Sequence, residues 1–387
     1  FINEAPFWYQ WVAIGAAALV AWLILSLVRM PVLSMGIILA LCLASDRLAR
    51  DSFDWFDMEI SALPFYFALG ACGVAGITGT FVMQLRESRK LQRFLGRYTS
   101  PEFAQQMMSD RAGLYTTLGG VDRTVTIFFS DVRGFTSKSE NLQPGELAKQ
   151  LNEYLSRMVE QVFKHRGLVD KFIGDAVMAL WGSTRFAPSD AGYKDDALNA
   201  VTAALAMREA LVKLNVERSA RGLEDWQMGM GVHQGDVVVA NIGSEQPYEK
   251  MDLTVIGDHV NLASRLEGAT KGYGVDFIIS EAVHRHVKDE FLCRSTDFIA
   301  VMGKAKPVEV FTVIGPASES PPAGLEVFET GMRLYREGRF DEALAAFLEC
   351  VEAGLDDKLT RVYLERCQTL REHPPEVWDG VYKMTKK

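Results

Sequence analysis

The sequence predicts an α+β protein: a sheet with helices packed on one face, preceded by apolar segments and followed by a helical tail. Three observations predict it. Between residues 122 and 315, short runs of β-branched and aromatic residues alternate with stretches of helical spacing. Residues 1–85 hold three apolar runs. A linker rich in Ser and Pro, Ala317–Gly324, separates the central region from a helical C-terminus. The chain therefore divides into a membrane region at 1–85, a cytoplasmic helical connector at 86–121, the mixed region at 122–315, and the linker and tail at 316–387.

The apolar runs are Phe7–Val28, Pro31–Ser45 and Ser61–Leu85. A bilayer needs about 20 apolar residues per helix, so they read as three transmembrane helices. A signal peptide has one short core, which does not fit them. Arg29 lies in the first link, the second link carries Asp51, Asp54, Asp57 and Glu59, and Arg86, Arg89, Lys90, Arg93 and Arg97 follow the third run. Basic residues stay in the cytoplasm. Phe1 then starts outside, and everything after Leu85 is cytoplasmic, as expected of a multi-pass protein of the cell inner (plasma) membrane. Gly70, Gly73, Gly76 and Gly79 suit close helix packing in lipid, and Trp8, Trp11 and Trp55 suit its interface. The chain opens on Phe1 rather than Met and reads as the C-terminal part of a longer protein.

Arg86–Asp110 has the pattern of a charged helix with a thin apolar seam at Leu85, Leu91, Phe94 and Leu95. In the mixed region, Val125–Ser130 reads as a strand and Leu147–His165 as a helix. Leu168–Ile173 and Ala176–Trp181 flank Gly174-Asp175 as a hairpin. Ala197–Val216 is an alanine-rich helix. Met228–Val232 and Val237–Asn241 form a strand pair around Gly235-Asp236. Val260–Glu267 begins a helix, and Val308–Val313 is a closing strand. Leu325–Cys350 is helical in pattern, with Gly331, Leu334, Tyr335, Gly338, Phe340, Ala343, Leu344, Ala346 and Phe347 placed as in one tetratricopeptide-type helix pair. A single repeat cannot bury its own face. It either caps the mixed region, the preferred reading, or binds another protein. Trp378 is expected to anchor the tail by packing.

The formal net charge of −9 argues against a nucleic-acid partner. The five cysteines, Cys42, Cys72, Cys293, Cys350 and Cys367, show no metal-ligand spacing and read as reduced thiols. Chemistry concentrates in three clusters. Asp131 ends an apolar strand and is followed by Val132-Arg133-Gly134-Phe135-Thr136. Asp175 follows a second strand. Two carboxylates on a rigid scaffold suit Mg²⁺ or Mn²⁺, and such a cation brings a nucleotide's phosphates with it. Glycine at 134 lets backbone N–H groups approach phosphate. In the third cluster, Thr254 to Glu267, Asn261 and Arg265 are four apart and share a helix face. An amide and a guanidinium there can orient a sugar and stabilise a phosphoryl transition state. The alternative is a surface Arg265 bonded to Glu267.

Together these clusters resemble the class III nucleotidyl cyclases, from near Arg123 to near Val313. The resemblance implies a ferredoxin-like βαββαβ core and a head-to-tail homodimer with its sites in the cleft between subunits. It implies that Asp131 and Asp175, with the Val132 backbone, hold two metal ions per site. Gly134, Phe135 and Thr136 would wrap the phosphates, Lys171 and Thr254 would read the base, Asn261 would position the ribose and Arg265 would stabilise the transition state. In the family, the metal aspartates and the other residues serve one nucleotide from opposite subunits.

A lysine donates to adenine N1, whereas the guanylyl branch has a glutamate at this place. Lys171 therefore points to ATP as substrate, and to 3′,5′-cyclic AMP and pyrophosphate as products. An ion pair with Asp170 is the other use open to this lysine. Thr254 departs from the aspartate common in adenylyl cyclases and resembles a subgroup with Thr or Ser there; its hydroxyl can accept from adenine N6. The family's late phosphate lysine falls at Met302, which leaves Lys304 or Lys306, with Lys304 preferred. Three spans ahead of such a domain resemble bacterial cyclases with a CHASE-type sensor, so an upstream extracytoplasmic sensor is expected. A guanylyl cyclase and a catalytically silent receptor scaffold remain the alternatives. His284 and His286 read as a solvated helix end, and His233 as packed.

Overall fold

The computed structural model describes residues 120–140, 142–183, 189–244, 250–299 and 307–381, with scattered positions before residue 87. The chain forms two compact units, Phe1–Leu95 and Gly96–Lys387. In the first, Asn3–Glu4 pairs in parallel with Met58–Glu59. The three apolar runs lie mostly outside the described residues, as does the connector helix expected over Arg86–Asp110. Among the described residues, no helix is long and apolar enough to cross a membrane.

In the second unit, β1 (Val121–Val132) leads through a short α1 (Phe135–Ser139) to α2 (Pro144–Lys164). The hairpin β2 (Leu168–Ile173) and β3 (Ala176–Trp181) follows, then α3 (Asp190–Ala220) and β4 (Met228–Ser244). Next come β5 (Lys250–Ile256), α4 (Asp258–Tyr273), β6 (Phe277–Ser280), α5 (Glu281–Val287), β7 (Phe291–Ile299) and β8 (Val308–Pro316). The eight-stranded sheet runs β2-β3-β1-β4-β6-β8-β7, with β5 paired to β4. Its β2-β3-β1-β4 portion is antiparallel at every step. That is the split βαβ order expected of a βαββαβ core.

Helices cover both faces of this sheet, not one. Phe128, Trp181 and Met230 pack with Tyr154 and Met158 of α2 and Met207 of α3. Val125, Ile127, Phe129 and Val237 point the other way and pack with Ala263 of α4. β1 is buried without a break from Val125 to Ser130, as in a strand covered on both sides.

A second correction concerns Gly235-Asp236. No turn forms there: β4 is one strand from Met228 to Ser244, paired with β1 up to Val239. The glycine serves close approach instead. A Cβ on Gly235 would lie 2.1 Å from His259 Nδ1, and one on Gly231 2.3 Å from the Glu267 backbone nitrogen. Side chains at these positions would push α4 off the sheet.

The tail has three helices, α6 (Leu325–Arg336), α7 (Phe340–Glu352) and α8 (Lys358–Glu372). The first two are the expected pair; α8 lies beyond the stretch read from the sequence. Trp378 Nε1 donates to the Tyr335 and Arg336 carbonyls at 3.1 and 3.2 Å. The tail packs on α4, β7 and β8. Leu262, Leu266, Ile278 and Val310 share a core with Phe328, Phe347 and Tyr363. Tyr363 OH donates to the Thr296 carbonyl at 2.6 Å, and Arg366 reaches Asp297 at 2.7 Å.

Candidate active site

Asp131 lies near the end of β1, and Asp175 sits in the β2–β3 turn beside Gly174, whose φ of 67° favours glycine. The Val132 N–H donates to Asp175 Oδ2 at 3.1 Å, locking the turn to the strand end. The Asp131 carboxyl is pushed up to about 6, first by burial and then by its contact with and repulsion from Asp175. Glu267 is a third carboxylate here. It is pushed up to about 7 by burial and then by Asp131.

The donor set fits a hard divalent cation. Two carboxylates face each other at a rigid strand end, and their repulsion is what such an ion relieves. Among the described residues, no three Asp, Glu, His or Cys side chains are grouped to hold a metal. Mg²⁺ commonly takes one or two carboxylates and completes its shell with phosphate and water.

Gly134 takes a left-handed φ of 67° at the start of α1. The Phe135 ring packs edge-on against Trp226 with centroids 6.1 Å apart. Of Phe135, therefore, the backbone rather than the ring is available to a phosphate. Thr136 is exposed.

Lys171 and Thr254 come from β2 and β5 and meet on one buried group. Thr254 Oγ1 donates to Asp170 Oδ2 at 2.7 Å, and Lys171 Nζ lies 3.4 Å from the same oxygen. The ion pair of Lys171 with Asp170 is thus made, and it does not bury the lysine, whose side chain is 39% exposed. Burial pushes the Asp170 carboxyl up, against the pull of Thr254 and Lys171.

Asn261 and Arg265 lie on the exposed side of α4, while Leu262, Ala263 and Leu266 are buried. Arg265 does not pair with Glu267. Residues two apart on a helix lie about 200° around its axis, and Glu267 turns inward toward Gly229. Among the described residues, no hydrogen bond or ion pair joins Asn261 or Arg265 to the Asp131–Asp175 pair. Lys304 and Lys306 lie outside the described residues.

Sequence reasoning missed Glu267 as a neighbour of the aspartates. The glycines at 229 and 231, which leave it room, were the available signal. His233 is packed as expected: it is buried, and its nitrogens meet Ser280 Oγ at 2.7 Å and His259 Nδ1 at 2.6 Å. His284 corrects the expectation of a solvated end, since its ring stacks on Phe311 at 3.8 Å. Cys350 and Cys367 are buried and Cys293 partly so, all three as free thiols.

A sheet of this order, with paired carboxylates at one strand end, is the arrangement expected of a nucleotidyl cyclase domain. The chain belongs to the family of the adenylate and guanylate cyclase catalytic domain, whose model matches residues 121–315. It is 40% identical over 198 residues to an adenylate cyclase of Anabaena cylindrica, covering 49% of this chain and 37% of that protein. It is 33% identical over 294 residues to the terminal-differentiation specific adenylate cyclase of Dictyostelium discoideum, covering 74% of this chain and 13% of that protein. The chain thus spans well under half the length of these relatives. The crystal structure of the adenylyl cyclase CyaB from P. aeruginosa is 36% identical, covers 52% of this chain and 99% of its own, and superposes with a TM-score of 0.46.

Proposed function

We propose that the protein is an adenylyl cyclase that converts ATP to 3′,5′-cyclic AMP and pyrophosphate as a homodimer. The observation that carries the choice of ATP is the convergence of Lys171 and Thr254 on Asp170. It sets an ammonium donor beside a hydroxyl. Adenine offers an acceptor at N1 and an amino group at N6, which such a pair can meet. A guanine N1–H would face the ammonium donor to donor.

Asp131 and Asp175, with the Val132 backbone, would hold two Mg²⁺ or Mn²⁺ ions. When bound, such ions lower the pKa of an attacking hydroxyl and neutralise phosphate charge. The residues of the chain supply the rest. The backbone of Gly134, Phe135 and Thr136 receives phosphate oxygens. Asn261 hydrogen-bonds the ribose so that its 3′-oxygen faces the α-phosphorus. Arg265 stabilises the charge that builds as pyrophosphate leaves. Lys304 is the preferred lysine for the triphosphate.

The opposite orientations of Glu267 and Arg265 on α4 support sites shared between subunits. The inward side of the helix faces the aspartates of its own chain, and the outward side is free to serve a twin. The three apolar runs and the basic residues after Leu85 support a membrane anchor, with the catalytic domain cytoplasmic and an extracytoplasmic signal as input.

Purified protein incubated with ATP or GTP and either Mg²⁺ or Mn²⁺ tests the reaction. Cyclic AMP from ATP is expected. Cyclic GMP from GTP in excess, or no cyclic product with either metal, would reject the reading. Full-length chain is expected in the membrane fraction, resistant to carbonate extraction; release by carbonate would reject the anchor.

A further inference from the structure

The Asp170 carboxylate sits behind both base-facing side chains. Its side chain is 1% exposed, and Oδ2 is the oxygen that both Thr254 and Lys171 approach. An ionised carboxylate only accepts hydrogen bonds, an ammonium only donates, and a threonine hydroxyl has one proton and two lone pairs. With its single proton committed to Asp170 at 2.7 Å, the Thr254 hydroxyl has only lone pairs left for a third partner. The two side chains then present one acceptor and one donor. Adenine is the complement, with an amino group at C6 and an acceptor at N1. Guanine carries the reverse pattern, a carbonyl at C6 and a proton on N1.

We propose that Asp170 determines base specificity by fixing the polarity of the Thr254 hydroxyl, so that it accepts from an amino group and cannot donate to a carbonyl. This rests on the adenine reading above. Asp170 is a positioning residue: it acts through Thr254 and, by holding the ammonium, through Lys171. A free Thr254 hydroxyl could rotate to serve either base; the buried carboxylate removes that freedom. A site built on such a bond discriminates strongly, because the wrong base leaves polar groups unpaired.

The test compares kcat/KM for ATP and for GTP in the full chain and in Asp170→Ala. A wild-type preference for GTP would reject the adenine reading itself, before any variant is considered. With ATP preferred, Asp170→Ala should lower the ATP/GTP ratio at least about tenfold, the scale of a hydrogen bond to a charged group. ATP turnover should fall while GTP turnover holds or rises. Should the alanine variant melt early, Asp170→Leu keeps a similar branched shape and offers the hydroxyl no acceptor, and the ratio should move the same way. A folded variant in which both nucleotides lose turnover equally would overturn the proposal, since a purely structural carboxylate has no reason to favour one base.

Discussion

Two groups of carboxylates in this molecule are treated in opposite ways. Where the tail meets β7, Asp297 and Asp357 each have a cation. Asp297 receives Arg366 and Tyr273 at 2.7 and 2.5 Å, with the Asp297 and Arg366 side chains 4% and 8% exposed. Burial pushes Asp357 up, but the hydrogen bonds from Arg294 and the Thr360 backbone outweigh it and hold the carboxyl below its ordinary value. At the end of β1, by contrast, Asp131 and Asp175 face each other, and Asp131 is raised rather than lowered. The same side chain has its charge answered within the chain in one place and is left open to a cation in the other, which is what the proposed metal site requires.

The sharpest way to break this comparison is to remove a carboxylate from each region and read both activity and melting. Asp131→Ala or Asp175→Ala should cut cyclic nucleotide production by a factor of at least about 10²–10³; Asp131→Ala should do so with no loss of Tm, because a repulsion has gone, and Asp175→Ala with a small loss from the missing Val132 N–H bond. Surviving activity would reject the metal assignment. Next, Asp175→Ala and Arg265→Ala chains, each inactive alone, should recover about a quarter of wild-type activity when mixed equally, since half the dimers then carry one intact site of two. No recovery would mean that each site draws on one subunit.

Asp297→Ala should behave in the opposite sense. Leaving Arg366 buried without its partner costs about 3–5 kcal/mol, which calorimetry would show as a clear fall in Tm. An unchanged Tm would show that the tail interface does not hold the fold. The smallest effect concerns acid. A depressed carboxyl contributes stability above its unfolded value, near 3.8 for Asp357, that is lost as pH falls through the folded value. Asp357→Asn should therefore lower Tm at pH 7, by less than about 1 kcal/mol because the side chain is 45% exposed, and converge with wild type as pH falls through the depressed folded value. A difference that persists at low pH would point to lost geometry rather than charge.

Much of this was legible in the sequence. The β2–β3 hairpin appears at the boundaries its Gly-Asp turn signals, because alternating local chemistry fixes a hairpin. Asp131 and Asp175 were readable because each follows an apolar strand. Gly235 misled, since glycine for a turn and glycine for close approach look alike until the packing partner, His259, is known. Asp170 was read only as a partner for the adjacent Lys171, because its bond to Thr254 spans 84 residues, and the place of Glu267 beside the aspartates was signalled only by Gly229 and Gly231. Helices on the second face of the sheet were missed because Thr126 and Ser130 break the apolar run of β1, although both are buried with it.

The tail interface also separates two ideas of a boundary. The family match stops at residue 315, yet Leu262, Ile278 and Val310 owe their burial partly to residues beyond it. Arg294 and Asp297 likewise find their counter-ions there. A fragment cut where homology ends would emerge with a bare oily patch and stranded charges on the back of the very helix that presents Asn261 and Arg265. Anyone excising this domain for use as a portable module should carry the cut past Trp378.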